Sequence, residues 1–370
     1  MRPATEADLS EAVQAARTPL VIRGGGTRAI GQCSGEILET SALSGVVLYE
    51  PGALTLVAGA GTAVAELETV LAAERQRLAF DPPDLRALLG RTGASTIGGI
   101  VAAYASGSRR VQVGACRDAL LGVRFVDGAG NIVKNGGRVM KNVTGYDLVK
   151  LMAGSQGTLG IVTEVSFKVQ ALPEAEMTLT GTRDPAVGLA DLRAALGSPY
   201  DISGAAFADG QAMIRIEGMA GSVAYRTAAL IKALGGDWGQ IDGAKSAALW
   251  RDIRDVTPFA GRAGAVWRIV VKPTDAARVT ADLGVDHEAI YDWGGGLIWL
   301  LVPGGGAQAV RRAVGLSGHA TLVRPSDNME KVPAFPPEAQ GVAALTAALR
   351  AKFDPRGILN HGLMDPGLTG

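Results

Sequence analysis

The 370-residue sequence is poor in cysteine and histidine. Its two cysteines, Cys33 and Cys116, are far apart and form no CxxC motif, so they can build neither a zinc site nor an iron–sulfur cluster within this chain. Such sparse cysteine is typical of a reduced, cytosolic protein. The three histidines, His287, His319 and His361, are not near one another. We therefore expect no metal site and interpret each histidine as a surface or structural residue rather than as a base.

The sequence also lacks net charge, aromatic residues and long apolar runs. Its 36 Lys and Arg residues balance 36 Asp and Glu residues, which leaves no electrostatic footprint for nucleic acid or an anionic membrane. Aromatic residues make up 5% of the chain, too few to suggest a platform for stacking single-stranded bases. No apolar run approaches the roughly eighteen residues that span a bilayer, and the N-terminus does not resemble a signal peptide. Membrane contact is therefore expected only through a partner.

Glycine, in contrast, is abundant. The chain has 51 glycines, about twice the usual share, without a collagen-like period. Many special turns or close approaches of the backbone to a ligand are therefore implied. The length exceeds the usual limit for one hydrophobic core and predicts two domains.

The pattern over residues 1–172 predicts alternating short strands and helices. Thr5, followed by Asp8, resembles an N-cap that starts the first helix. The glycine-rich character stops near Leu172, where we place a domain boundary. Strands are predicted over 20–23, 46–49, 55–58, 121–126, 132–134 and 163–169, with a helix over 64–74.

Residues 173–332 show an order of elements that occurs twice. Each copy reads as β-α-β-β-α, which predicts an α+β domain of two ferredoxin-like halves joined by a helix over 244–256. A proline-rich connector at 333–337 leads to a terminal helix over 341–352. Residues 333–370 are expected to form a helix and tail that return to the first domain.

Three glycine clusters, at 23–27, 93–102 and 154–162, lie beside apolar segments of the first half. Each alone is explained as well by a tight turn as by a phosphate held on main-chain amides. The first cluster opens no helix and precedes no Gly-Lys-Ser/Thr, so it is neither a Rossmann fingerprint nor a P-loop. Three such clusters together favour a large cofactor between backbones over three unrelated turns.

The motifs carry a resemblance to a known family. Arg23-Gly-Gly-Gly-Thr27, Thr96-Ile-Gly-Gly99, Asn142-Val-Thr-Gly-Tyr-Asp147, the stretch 154–164 and the tail 353–360 together resemble the FAD-binding domain of the p-cresol methylhydroxylase/vanillyl-alcohol oxidase type. The segments 81–84 and 106–110 are similar to the E-type FAD-binding subunits of bacterial glycolate oxidase. The resemblance implies an α+β fold, with a two-part FAD-binding domain over 1–172 and a ferredoxin-like α+β cap over 173–332.

The resemblance also implies roles for residues. Gly24, Gly25, Gly26 and Thr27 would hold the pyrophosphate, with Arg23 adjacent. Thr27 stands where some relatives carry the histidine of a covalent flavin link, so non-covalent FAD is expected. Four residues would line the flavin–ribityl side, namely Thr96, Ile97, Gly98 and Gly99. Gly160 and Ile161 would line the adenosine side. Further cofactor-binding candidates are Gly31, Pro83, Ser106, Gly107, Gly157 and Asn360.

The implied function is that of an FAD-binding subunit of a glycolate oxidase complex. Such a subunit oxidises glycolate, a small 2-hydroxy acid, to glyoxylate and passes electrons through the flavin to partner subunits. The implied partners are a second FAD-containing catalytic subunit and an iron–sulfur subunit. The complex would be cytoplasmic and peripheral to the inner membrane. Two alternatives are a self-sufficient FAD oxidoreductase for another 2-hydroxy acid or alcohol, and a non-catalytic assembly subunit.

The catalytic residues are not evident from the sequence, which shows no general base. Arg109 and Arg110 are candidates for a substrate carboxylate because a guanidinium fork suits that group, although a solvated or partner-facing pair explains them as well. Arg324 is a weaker candidate. Trp293 and Trp299 are interpreted as core residues of one hairpin.

Overall fold

The protein is described from a computed structural model, which covers residues 1–138, 145–327 and 329–364. The 142–144 part of the predicted cofactor motif lies outside these ranges. Among the described helices, none combines the length and the apolar character that crossing a bilayer requires.

The N-terminal half contains eight strands and seven α-helices in the described ranges. Its strands are β1 (Leu20–Arg23), β2 (Glu36–Glu39), β3 (Val46–Glu50), β4 (Thr55–Gly59), β5 (Gln76–Leu78), β6 (Leu120–Val126), β7 (Ile132–Gly136) and β8 (Ile161–Ala171). Its helices are α1 (Glu6–Ala15), α2 (Val64–Ala73), α3 (Arg86–Leu89), α4 (Ile97–Ala102), α5 (Arg110–Val113), α6 (Cys116–Ala119) and α7 (Leu148–Met152). Helix α1 begins with the predicted capping box of Thr5 and Asp8.

Six of these strands form one sheet, in which β3, β4, β8, β6 and β7 follow one another and β5 also pairs with β8. All of these pairings are antiparallel. The long strand β8 lies at the centre, and Phe80 packs against its Phe167 with ring centroids 5.3 Å apart. Strands β1 and β2 form a separate parallel pair. Neither β2 nor β5 was predicted, because both are short strands in which charged or polar residues interrupt the apolar run, Glu36 and Glu39 in β2 and Gln76 and Arg77 in β5.

The next region contains eight strands and five α-helices among its described residues. Its strands are β9 (Ala175–Thr182), β10 (Ile202–Ala208), β11 (Gln211–Gly218), β12 (Gly239–Asp242), β13 (Ala265–Val271), β14 (Glu288–Asp292), β15 (Leu297–Val302) and β16 (Gly318–Arg324). Its helices are α8 (Pro185–Leu196), α9 (Ala220–Leu234), α10 (Gly243–Asp255), α11 (Ala276–Ala281) and α12 (Ala307–Val314).

These strands form a single eight-stranded antiparallel sheet in the order β12-β9-β11-β10-β14-β15-β13-β16. Each half has the β-α-β-β-α-β order of a ferredoxin-like unit, so the predicted α+β fold is confirmed. The halves meet where β10 pairs with β14 through Phe207 and Tyr291. The closing strand of the first half, β12, was missed because it is a largely exposed edge strand with a single apolar residue, Ile241.

The two faces of the eight-stranded sheet are both covered. One face packs against α8, α9, α11 and α12 in a core that includes Leu189, Leu230 and Trp267. On the opposite face, Trp299 of β15 packs in one cluster with Trp293, with Trp250 of α10, and with Leu85 and Leu88 of the N-terminal half. The interpretation of Trp293 and Trp299 as core residues is therefore confirmed.

The chain ends with α13 (Gln340–Phe353), none of whose residues is buried, and a tail that returns to β1. The Leu20 amide donates to the Ile358 carbonyl (2.7 Å), and the Asn360 amide donates to the Leu20 carbonyl (2.9 Å). The tail therefore lies beside the strand that leads into the first glycine cluster.

Candidate functional site

A cavity of about 820 Å³ lies between the first glycine cluster, the segment before α4 and the tail. Its volume is within the range of about 300–1,000 Å³ that is typical of small-molecule and cofactor sites. It is lined by nine of the residues that the sequence analysis assigned to the cofactor, namely Arg23, Gly24, Gly25, Gly26, Thr27, Gly31, Thr96, Gly99 and Asn360.

The glycines of the first cluster are required by the close approach of two loops. A Cβ atom on Gly25 would collide with the Ala94 carbonyl oxygen, and one on Gly24 would collide with the Thr96 hydroxyl. Gly26 has φ +68°, in the left-handed region that favours glycine. The missing side chains therefore allow the two loops to form one continuous wall of the cavity.

This wall presents hydrogen-bond donors that the protein itself does not use. Within the described residues, the amides of Gly25, Gly26, Thr27 and Arg28 donate no hydrogen bond to another protein group. The Arg28 Nε is buried and likewise has no partner in the described part of the chain. Successive free amides beside a guanidinium suit an anionic group such as the pyrophosphate of FAD. The residues present therefore fit this cofactor.

Asn360 closes the cavity on the side of the tail. It has φ +44°, its side-chain oxygen accepts from the Ile22 amide (2.7 Å), and its Nδ2 donates to the Gln156 carbonyl (2.7 Å). Gly157 lies against the same side chain, because a Cβ there would be 2.8 Å from Asn360 Nδ2. Asn360 therefore joins β1, the third glycine cluster and the tail.

Four of the predicted cofactor residues lie behind the cavity wall instead of on it. Gly98 packs against Ala60, and Gly160 packs against Phe125. Ile97 and Ile161 are buried in hydrophobic clusters. The structure therefore places Ile97, Gly98, Gly160 and Ile161 where they support the walls.

A second, smaller cavity of about 100 Å³ adjoins the first, since both are lined by Arg28, Ile30, Ala103 and Gln156. It lies where the N-terminal half meets the eight-stranded sheet. The predicted residues Pro83, Ser106 and Gly107 line it from one side, and Arg268, Asp292, Leu297, Trp299 and Val323 line it from the other.

Two guanidinium groups face this cavity without a carboxylate partner among the described residues. They belong to Arg28, which donates to the Pro83 carbonyl, and to Arg268 of β13. Burial lowers the pKa of Arg28 to about 10. Burial, together with repulsion from Arg110 and Arg28, lowers the pKa of Arg268 to about 10. Asp84 and Asp255 offset part of the effect of burial on Arg28, but neither forms an ion pair with it. Both guanidinium groups therefore lack a direct carboxylate partner among the described residues.

The predicted arginine pair is divided between two environments. Arg110 lies over the rings of Trp293 (4.5 Å to the centroid) and Tyr104 (5.2 Å), beside the second cavity. Arg109 is buried and forms an ion pair with Glu217, and it also donates to Gln170 (2.9 Å). The structure therefore does not bring Arg109 to either cavity.

Arg324 lies elsewhere too. Its guanidinium donates to four main-chain carbonyls, those of Leu88, Phe259, Arg262 and Gly264. With its donors occupied in this way, Arg324 joins two parts of the chain and is not available for a substrate carboxylate.

Glu217 of β11 is the centre of a buried ion cluster that joins the two sheets. It lies 2.6 Å from Arg77 of β5 and 3.5 Å from Arg215, and it also pairs with Arg109. Burial alone would raise the pKa of Glu217, but Arg215, Arg109 and Arg77 outweigh it and lower the pKa to about 2. The cluster therefore fixes how the sheets meet.

Asp292, which ends β14 and lines the second cavity, was not predicted as a site residue. It is 2% exposed and accepts hydrogen bonds from the Ser108 hydroxyl (2.6 Å) and the Trp293 amide (2.7 Å). Burial raises its pKa to about 6, although both hydrogen bonds oppose the shift. The sequence feature that could have pointed to this residue is a single aspartate placed between an apolar strand and the Gly294-Gly-Gly296 turn.

Comparisons with known proteins agree with this geometry. Residues 1–136 match the family described as "FAD binding domain". A solved structure of alkyldihydroxyacetonephosphate synthase superposes with a TM-score of 0.70 at 16% identity and covers 98% of this chain and 76% of that one, which shows the fold alone. The fold and the cavity together define an FAD-dependent oxidoreductase with a p-cresol methylhydroxylase-type FAD-binding domain.

The chain is 34% identical over 351 residues to glycolate oxidase subunit GlcE of Escherichia coli (strain K12), which covers 94% of this chain and 93% of that relative. It belongs to the GlcE family of FAD-binding oxidoreductase subunits. It is also 36% identical over 167 residues to glycolate oxidase subunit GlcD of Bacillus subtilis (strain 168), a match of 44% of this chain and 34% of that one.

Proposed function

We propose that the chain holds FAD non-covalently in the 820 Å³ cavity and acts as a subunit of a glycolate oxidase complex that converts glycolate to glyoxylate. The observation that carries the proposal is the pair of adjoining cavities, one lined by unused main-chain amides and the other by unpaired guanidinium groups. When bound, the flavin supplies the two-electron acceptor for the oxidation of an alcohol.

On the cofactor side, the amides of Gly25, Gly26, Thr27 and Arg28 hold the pyrophosphate. Thr27 offers no imidazole to form a covalent link, which supports non-covalent binding. Asn360 keeps the loops and the tail in register around the cofactor through its hydrogen bonds to Ile22 and Gln156.

On the substrate side, Arg28 and Arg268 bind the carboxylate of a small acid, because a planar guanidinium offers paired donors to that group. A cavity of about 100 Å³ admits only a few heavy atoms, which suits glycolate better than a long or aromatic acid. Leu297, Trp299 and Val323 give the cavity apolar walls that exclude bulk water and strengthen these charge interactions.

The proposal includes partner subunits, a second FAD-containing subunit and an iron–sulfur subunit. The E. coli relative is itself named a subunit. The sequence has two cysteines, Cys33 and Cys116, which cannot supply the four thiolates that hold an iron–sulfur cluster. Electrons from the flavin therefore leave through partners, which also provide any contact with the inner membrane.

The test is an absorption spectrum of the purified chain, followed by denaturation and a search for flavin in the supernatant. We expect a flavin spectrum and full release of the flavin, and a colourless chain that does not take up added FAD would refute the proposal. Anaerobic glycolate should bleach the flavin when partner subunits are present. Bleaching of the isolated chain at the same rate would instead favour a self-sufficient oxidoreductase.

A further inference from the structure

The second cavity holds charges of both signs that do not neutralise one another. Among the described residues, no Lys, Arg or His nitrogen lies within 4 Å of the Asp292 carboxylate, and no carboxylate pairs with Arg28 or Arg268. Arg254, which also lines the cavity, is already paired with Asp81 (3.1 Å) and Asp255 (2.8 Å). Burying unpaired charges is costly, so the arrangement indicates a ligand that completes it.

The ligand must present an anion to the guanidinium groups and a hydrogen-bond donor to the Asp292 carboxylate. The small volume requires that these two groups lie on neighbouring atoms. A 2-hydroxy acid carries a carboxylate and a hydroxyl on adjacent carbons and meets both requirements. An ionised dicarboxylate has no hydrogen-bond donor, so it could bond to Asp292 only if Asp292 is protonated and donates to it.

We propose that Asp292 is the proton acceptor for the hydroxyl group of a 2-hydroxy acid bound in this cavity, an inference that rests on the proposed function. The O–H bond breaks and its proton passes to an Asp292 carboxylate oxygen. The C–H bond at the same carbon breaks and its electron pair leaves with the hydrogen as hydride to a flavin-class oxidant. The carbon–oxygen double bond forms from the O–H electron pair.

The hydrogen bonds that Asp292 accepts leave its carboxylate able to accept a proton from a ligand. Ser108 donates to Oδ2 and the Trp293 amide donates to Oδ1, so each oxygen keeps a free acceptor site. Ser108 is thus a positioning residue that fixes the carboxylate plane. The other titratable or charged groups facing the cavity are Arg28, Tyr104, Arg254 and Arg268, and Arg215 and Asp81 act on Asp292 from farther away.

The first experiment measures flavin reduction by glycolate in the FAD-loaded chain, with partner subunits added, as a function of pH. The wild-type rate should rise about tenfold per pH unit up to about 6 and level off above it. Asp292→Asn should lower the plateau at least about 100-fold, in the range usual for loss of a general base. The matched control, Asp286→Asn, changes an exposed carboxylate and should leave the rate unchanged.

The second experiment needs no turnover and titrates oxalate, which cannot be oxidised in the same way, into the loaded chain. Oxalate presents a second carboxylate to Asp292, so binding should require protonation and weaken about tenfold per pH unit above 6. In Asp292→Asn this pH dependence should disappear while affinity remains. Ser108→Ala removes a hydrogen bond from the charged form and should shift both pH profiles upward.

The outcomes separate the two proposals. If Asp292→Asn binds FAD and oxalate and reduces flavin with the wild-type rate and pH profile, the role of Asp292 is refuted while the proposed function stands. If the wild-type chain binds no oxalate at any pH, the role of this cavity and of Asp292 is refuted while FAD binding stands. If glycolate does not bleach the flavin even with partners, both proposals are refuted.

Discussion

Replacing Glu217 by glutamine should destabilise the protein by about 3 kcal/mol at pH 7. The substitution keeps the shape of the side chain but removes the carboxylate that forms ion pairs with Arg77, Arg109 and Arg215. Two of these guanidinium groups are almost completely buried, and an uncompensated buried charge costs about 3–5 kcal/mol.

The lowered pKa of Glu217 gives a similar value for this loss of stability. It lies at about 2 instead of the ordinary 4.5, and a tenfold difference in proton affinity corresponds to about 1.4 kcal/mol. The ionised carboxylate thus contributes about 3 kcal/mol to the free energy of unfolding. Because the pKa is lowered on folding, this contribution is complete above pH 4.5 and is lost as the pH falls from 4.5 to 2.

The assay is urea denaturation of wild type and Glu217→Gln at pH 7 and at pH 3. The gap between their midpoints should be large at pH 7 and smaller at pH 3. Glu288→Gln removes an exposed partner of Arg262 and serves as the matched control, for which we expect no measurable change. A Glu217→Gln variant as stable as wild type at pH 7, or a gap that does not depend on pH, would refute the reasoning.

Three further substitutions test the cavities. Gly25→Ala should abolish FAD retention because its Cβ collides with the Ala94 carbonyl, whereas Gly52→Ala, with open space around it, should retain the flavin in the same spectrum. Arg268→Met should raise the KM for glycolate by 10- to 100-fold in steady-state assays, since one charged hydrogen bond is worth about 1.5–3 kcal/mol, and an unchanged KM would remove Arg268 from the site. Asn360→Ala loses two hydrogen bonds and should weaken FAD binding at least about tenfold by fluorescence titration, and an unchanged affinity would contradict its role in the wall.

The sequence was most informative where the chemistry is local. The motifs of neighbouring residues predicted Gly24–Gly26 and Asn360 as cofactor residues, and the structure places them around one cavity. The two ferredoxin-like halves could be predicted from apolar strands and helices in regular order. The polar edge strand β12 could not, since hydrogen bonding to β9 alone defines it.

The lining of the second cavity could not be predicted from the sequence, for a physical reason. Arg109 and Arg110 are neighbours in the chain, yet one faces Glu217 and the other faces Trp293. Arg268 and Asp292 lie on separate strands, and only the folded sheet brings them to the same cavity as Arg28. Residues that meet only in the folded protein have no characteristic spacing in the sequence from which their meeting could be predicted.

The seam between β10 and β14, where these two strands pair, divides the eight-stranded sheet into two halves with different roles. The half before it carries Glu217 and is anchored to the N-terminal half of the chain, whereas the half after it carries Arg268 and Asp292. Across the seam the strand register consists of one residue pair, Phe207 with Tyr291, whose rings meet edge to face at 6.1 Å. Leu189 of the first half and Trp267 of the second belong to the same core, so side-chain packing on the helix-covered face holds the two halves together more than strand pairing does.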